Sequence, residues 1–266
     1  MQCTRRLLGP PGIFKRSLED VKRFVGIATR LEAVTGPTRP YDLIFFKDKS
    51  SIEQCKTMSD ADMGGFSTVH LDYIPAKDSE PAHARFHGTI STELPRNKPH
   101  IVRSGYAGWA TQDRKPTLFG RGFWDFDPYT HLCLNVLSDG RKYFVNIRTD
   151  SIVASDVHQH QLTAKQPGKW ETVVIDLKEF VRTNQGEVVE PQSEMLRESV
   201  KSVGISLLDR IPRPFELKIS RVWIANLNGD VEFRHDQLHG SEDLENEKIS
   251  PTTRRRRSNL PDKILM

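Results

Sequence analysis

Several short stretches carry side chains whose types and spacing could do chemistry. Asp60-Ala-Asp62-Met-Gly64-Gly65 sets two carboxylates ahead of paired glycines, as a calcium loop does. Its fifth position is Gly64 and its twelfth Leu71, so two oxygen ligands are missing. A turn entering a strand at Phe66 accounts for the same residues, with a weak structural calcium as the alternative. His158-Gln-His160 and His83 with His87 could each set two imidazoles on one strand face, and His235 with His239 on one helix face. A metal centre needs three or four convergent ligands, and none of these pairs brings an obvious third. Asp125 and Asp127 flank Phe126, where a glycosidase-like carboxylate pair or a turn before Pro128 would fit.

Other signatures fail outright. Gly120-Arg-Gly122-Phe-Trp-Asp125 lacks the third glycine of a dinucleotide fingerprint and precedes strand-like sequence where a helix should open. Neither a phosphate-binding Gly-x-x-x-x-Gly-Lys-Ser/Thr, a Gly-x-Ser-x-Gly elbow nor a His-Glu-x-x-His pair occurs. Cys3, Cys55 and Cys133 are odd in number and far apart, which argues against a disulfide framework and fits a reducing compartment. No catalytic residue, cofactor or metal is expected. Tyr106, Trp109, Phe123 and Trp124 sit among glycines, where aromatic rings could stack a sugar, anchor a protein partner or fill a core.

The elements that would position these residues follow from periodicity and charge. The 266 residues carry Lys+Arg 39 against Asp+Glu 35, too balanced to argue nucleic-acid binding. Residues 1–40 alone hold eight Lys/Arg and three Asp/Glu. The first sixteen are basic and acid-free, as an import segment is, though they lack serine; a frayed basic terminus fits equally. Ser17-Leu-Glu-Asp20 reads as a capping box opening a helix over 17–36. Leu18, Val21, Phe24, Val25, Ala28 and Leu31 recur at helical spacing, with Glu19, Lys22, Arg23 and Arg30 opposite, and Gly36-Pro37 stops the helix. Such a helix either docks its apolar face on the protein's own core or lies on a membrane or partner. Its cations Lys22, Arg23 and Arg30 would then serve as a basic foot.

From Tyr41 the period changes to two. Strands are expected over Phe66–Ile74, Ala82–Ile90, Arg103–Thr111, Tyr129–Leu137, Trp170–Leu177, Val200–Leu208 and Pro214–Ala225. Leu132, Leu134 and Val136 share one face, as do Tyr143, Val145 and Ile147. Asp139-Gly140 between them suits a type I′ hairpin turn. In the last strand Phe215, Leu217, Ile219 and Arg221 should share a face. Short helical pieces fit Lys178–Arg182 and Gln192–Ser199. After Asn228 the pattern decays into acidic and basic blocks, including Arg254–Arg257, expected to be disordered. The division is therefore a basic segment 1–16, a helix 17–36, an all-β sandwich 37–228 and a charged tail 229–266.

The ordered stretches Asp62-Met-Gly-Gly-Phe-Ser67, Phe86-His-Gly-Thr-Ile-Ser-Thr-Glu-Leu94 and Arg103-Ser-Gly-Tyr-Ala-Gly-Trp109 form a recognisable series. So do Asp139-Gly-Arg-Lys-Tyr-Phe-Val-Asn-Ile-Arg-Thr149, Trp170-Glu-Thr-Val-Val-Ile175, Val203-Gly-Ile-Ser206 and Pro214-Phe-Glu-Leu217. Together they resemble the complex I intermediate-associated protein 30 family, also called NADH:ubiquinone oxidoreductase complex assembly factor 1. Thr35-Gly-Pro-Thr-Arg-Pro-Tyr-Asp42 is similar to its fungal members.

The resemblance implies a galactose-binding-like jelly-roll β-sandwich without catalytic residues. It also implies a mitochondrial matrix chaperone, peripheral to the inner membrane, that binds membrane-arm intermediates of respiratory complex I and other assembly factors. Tyr106, Trp109, Phe123 and Trp124 are then candidate partner contacts. A carbohydrate-binding module is the alternative, and would need aromatic rings exposed on a concave face or loop rim.

Overall fold

Leu132, Leu134 and Val136 are completely buried, and so are Tyr143, Val145 and Ile147. Each alternates with a more polar neighbour, as a strand with one core face requires. Removing such side chains from water contributes roughly 1.5–3 kcal/mol apiece, and that gain organises the fold. The computed structural model describes residues 12–29, 37, 39–78, 80–99, 101, 103–118 and 120–227. A helix α1 (Ile13–Thr29) precedes thirteen strands. These are β1 (Tyr41–Phe45), β2 (Cys55–Ser59), β3 (Thr68–Ile74), β4 (His83–Thr89), β5 (Ala107–Thr111), β6 (His131–Ser138) and β7 (Tyr143–Thr149). Then follow β8 (Asp156–Leu162), β9 (Trp170–Asp176), β10 (Val181–Asn184), β11 (Glu187–Val188), β12 (Val200–Leu207) and β13 (Pro214–Ala225).

The strands form two antiparallel sheets in a jelly-roll sandwich. One runs β3-β4-β13-β6-β9, with β1 also paired to β13. The other runs β11-β10-β8-β7-β12-β5-β2. The long strands β12 and β13 lie inside their sheets, each flanked on both sides. Between the sheets, Phe86, Trp109, Phe126, Leu134, Ile147, Ile205 and Ile219 belong to one continuous core.

The structure departs from the expectations at four places. First, Asp139-Gly140 does not close a hairpin. β6 pairs with β13 and β9, whereas β7 pairs with β12 and β8, so the turn carries the chain from one sheet to the other. The two apolar faces therefore meet across the core instead of lying side by side. Gly140 has φ 85°, and the Asp139 carboxylate receives the N–H groups of Arg141 (3.0 Å) and Glu216 (2.9 Å), which fixes this corner.

Second, the alternation in β13 breaks after Ile219. A register shift against β6 between Ile219 and Arg221 turns Arg221 away from the core and brings in Val222 and Ile224. Third, the expected helical pieces shrink to 3₁₀ turns at Leu177–Glu179 and Arg197–Ser199, with β10 taking up Val181 onward. Fourth, the helix begins at Ile13, so Ser17 lies inside it; its hydroxyl donates to the Ile13 carbonyl (2.8 Å) and caps nothing. The stop at Gly36, the segment 1–11, the His235–His239 pair and the tail 229–266 lie outside the described residues.

Candidate functional site

The buried ionisable groups are the natural place to look for chemistry, and the most enclosed carboxylate and guanidinium, Asp60 and Arg141, are used to hold the frame. Asp60 is 1% exposed at the start of a 3₁₀ turn after β2. One of its oxygens takes the Ser67 N–H (2.9 Å). The other takes the Ser67 hydroxyl (2.9 Å) and the Gly105 N–H (2.6 Å). Three internal donors already occupy the lone pairs of this carboxylate, so it does not fit a calcium ligand. It pins the entry of β3 to the loop before β5. Gly65 permits this, because a Cβ there would lie 2.5 Å from the Asp60 carboxyl carbon.

A second anchor stands beside it. Arg141 and Asp209 form a salt bridge whose side chains are 1% and 6% exposed. Arg141 Nε donates to Asp209 (2.8 Å), and the remaining guanidinium donors reach the Ile211, Arg213 and Pro214 carbonyls. Burial alone would raise the Asp209 pKa. The Arg141 hydrogen bond, the Ile211 N–H and the nearby cations outweigh it and hold the carboxyl below its usual value. The pair clamps the β12–β13 connection to the β6–β7 corner.

The other candidates disperse. His87 bonds Asp72 (2.8 Å), while His83 faces the Pro81 carbonyl (2.8 Å) and the edge of Trp170. His158 and His160 share a face of β8, but His158 is buried and its pKa is lowered by that burial and by Arg182. Asp125 accepts the Asp127 N–H (3.0 Å), closing a turn. Among the described residues no group of three His, Cys, Asp or Glu could hold a metal. Burial pushes the Cys55 and Cys133 thiols up to about 12, which keeps them protonated and weakly nucleophilic at neutral pH.

The aromatic quartet divides between core and surface. Trp109 is buried against Phe46 (ring centroids 5.7 Å), and Trp124 is buried where its backbone exchanges two hydrogen bonds with Val200. Tyr106 is half-buried, its hydroxyl 2.9 Å from where a Cβ on Gly108 would sit, and burial pushes it up to about 12. Phe123 is half-buried in the β5–β6 connection. The two tryptophans therefore offer no exposed platform for a sugar.

Among the described residues, α1 carries four exposed large apolar side chains on one face. Its polar side docks on the β5–β6 connection: the Ser17 hydroxyl receives the Leu118 N–H (2.9 Å), Arg16 donates to the Pro116 carbonyl (3.2 Å), and Asp20 pairs with Arg114 (3.7 Å). Phe14, Leu18, Val21 and Val25 are 72%, 55%, 39% and 55% exposed. At ~100° per residue they form a stripe roughly 60° wide, with Lys15 and Lys22 along one flank. The helix thus turns its apolar side outward, the reverse of docking it on the protein's own core. Lys22 is exposed; the Arg23 side chain and all of Arg30 lie outside the described part. Periodicity had revealed the stripe but not which side of the helix meets the sandwich.

The comparisons with known proteins bear on most of the chain. The family model for complex I intermediate-associated protein 30 matches residues 44–219. A relative from Neurospora crassa named "Complex I intermediate-associated protein 30, mitochondrial" is 46% identical over 231 residues, covering 80% of this chain and 83% of that protein. A mouse relative of the same name is 26% identical over 182 residues, and the chain spans about half (54%) of it. Among solved structures, the family 11 carbohydrate-binding module of a Clostridium thermocellum cellulosomal cellulase superposes with TM-score 0.52. It covers 72% of this chain and 96% of the module at 12% identity, a likeness of fold alone.

Proposed function

Because the chain belongs to the complex I intermediate-associated protein 30 family, we propose that it is a non-catalytic assembly factor for mitochondrial respiratory complex I. In this reading it acts as a chaperone in the matrix, peripheral to the inner membrane, and binds membrane-arm intermediates alongside other assembly factors. The observation that carries the reading is α1: an apolar stripe left in solvent, flanked by cations, on a sandwich whose buried charges are committed to anchoring.

An exposed stripe of this kind is stable only until it finds lipid or an apolar partner surface. Cations beside it gain ~1 kcal/mol each near an anionic membrane. No helix among the described residues is long and apolar enough to cross a bilayer, so contact from one side is the mode that α1 offers. The sandwich would cover exposed apolar surface or open strand edges of an unfinished subunit until its proper neighbour arrives.

The test is genetic and biochemical. A strain lacking the protein should lose mature complex I on native gels and accumulate membrane-arm fragments. The full chain should restore it, whereas the chain with Leu18→Asp, Val21→Asp and Val25→Asp should not. That variant should also fail to float with cardiolipin-containing vesicles while melting like the unaltered protein. Normal complex I in the deletion strain would overturn the reading.

A further inference from the structure

One end of the sandwich forms a cationic surface that α1 does not touch. Five connections meet there: 60–67, 90–106, 139–142, 163–169 and 208–213. On exposed positions their cations outnumber carboxylates eight to three. Four of these cations have local partners. Lys98 donates to the Met63 carbonyl (2.8 Å), Arg210 to the Ser104 carbonyl (3.2 Å), Arg103 pairs with Glu187, and Arg213 lies in the field of Asp209. Arg96, Lys142, Lys165 and Lys169 make no ion pair with any described residue. On the same set of connections Met63, Phe66, Leu94 and Ile211 stand about half exposed.

The opposite end differs in sign and in neutralisation. On exposed positions its connections 46–54, 75–82, 112–130, 150–155 and 177–180 hold seven carboxylates and six cations. Several are already matched, as in Arg121 with Asp150 (3.4 Å) and Arg114 with Asp20. The cationic end is also the braced one. Asp60 ties 60–67 to 104–106, and the Arg141–Asp209 clamp ties 208–213 to 139–142. A surface fixed in advance loses less conformational freedom on binding. Exposed apolar side chains on connections that also carry unpaired cations supply the apolar and polar parts from which a docking surface is built.

We propose that this end docks an acidic protein surface, rich in Asp and Glu with a few apolar side chains among them. The choice of protein over lipid rests on the reading of α1 as the element that faces the membrane. α1 sits on the 112–130 connection, at the far end of the strands. The eight residues of β6 separate the ends by roughly 26 Å at ~3.3 Å per residue. That is about three Debye lengths at physiological salt, so a bilayer under α1 does not feel these cations. Their complement must come from another macromolecule.

The test places photoreactive benzoylphenylalanine at position 94 of the full chain in isolated mitochondria. A companion carries Arg96→Glu, Lys142→Glu, Lys165→Glu and Lys169→Glu, and thermal melting verifies that it folds. Cross-linked peptides should be enriched in Asp and Glu, and their yield should fall roughly tenfold in the companion. Flotation on cardiolipin-containing vesicles, which reads α1, should not change. Lipid adducts, cross-links to peptides without acidic enrichment, or a yield indifferent to charge reversal would overturn the proposal. So would flotation that survives loss of the α1 stripe but not the charge reversal. If the unaltered chain never floats while the charge-sensitive cross-link persists, the α1 reading fails and the acidic partner stands.

Discussion

The two ends of the sandwich solve the problem of presenting a surface in different ways. At the cationic end, Asp60 and the Arg141–Asp209 pair are sunk out of water and surrounded by donors and acceptors. Desolvating charge is costly, and the return is that several loops hold one arrangement. At the other end, α1 is held by one buried hydroxyl, one exposed arginine hydrogen bond and one partly exposed ion pair. Contacts of that kind contribute about 1 kcal/mol each or less. The difference teaches that buried charge can buy shape, whereas a lightly tethered helix keeps the freedom to leave its bed.

The contrast predicts a ladder of effects. The largest falls on the clamp. Arg141→Met should cost ~3–5 kcal/mol, because Asp209 would be left buried and unpaired, and adding Asp209→Leu should recover much of it. Urea unfolding measures both, and a single-variant loss under about 1 kcal/mol would show that the loops are not braced there. Next, Asp60→Ala should cost ~2–3 kcal/mol by orphaning buried donors. Hydrogen exchange at the Ser67 and Gly105 amides should then quicken together; if only one quickens, Asp60 does not couple the two loops.

Acid offers a gentler probe of the same end. The Asp209 carboxyl is held below its ordinary value. Its contribution is therefore complete above that ordinary value, ~3.9, and is lost as pH falls through the lowered one. From this group stability should be flat between pH 7 and 5, then decline by up to about 1.4 kcal/mol per pH unit below ~4. The Arg141→Met, Asp209→Leu chain should decline less steeply, as read by urea titrations across that range. The smallest effect belongs to the helix. Ser17→Ala should loosen α1 by ~1 kcal/mol, seen as faster proteolysis within Ile13–Thr29 with unchanged melting of the sandwich.

Much of this architecture is legible in the sequence, in a particular sense. Alternation located β6, β7, β12 and β13 closely, since a buried face repeats every second residue. It could not say which sheet each strand joins. The face built on Leu132, Leu134 and Val136 is equally satisfied beside Tyr143, Val145 and Ile147 or across from them. Only the Asp139 corner and the Arg141 clamp decide, through partners about seventy residues away. The Ile219–Arg221 shift is hidden for the same reason, as β13 must serve β4, β1 and β6 together.

β2 and β10 escape because Cys55–Ser59 and Val181–Asn184 are short and largely polar, as strands near a sheet margin can be. The turn at Asp60 was legible, but the role of its carboxylate was not. An aspartate followed by Gly-Gly fits a cation loop, and it fits equally a carboxylate that receives backbone N–H groups. The spacing alone does not separate the two.

The placement of β12 and β13 has a consequence for how the chain comes to be folded. They are the last strands along the described sequence, yet each fills the middle of its sheet. Until residues 200–225 arrive, β4, β5, β6 and β7 have no centre to gather on. Early segments must wait with their edges open, and closure comes late through contacts remote in sequence, a topology that folds slowly. Until the chain is complete, those open edges are the part of the fold that needs shelter from wrong pairing.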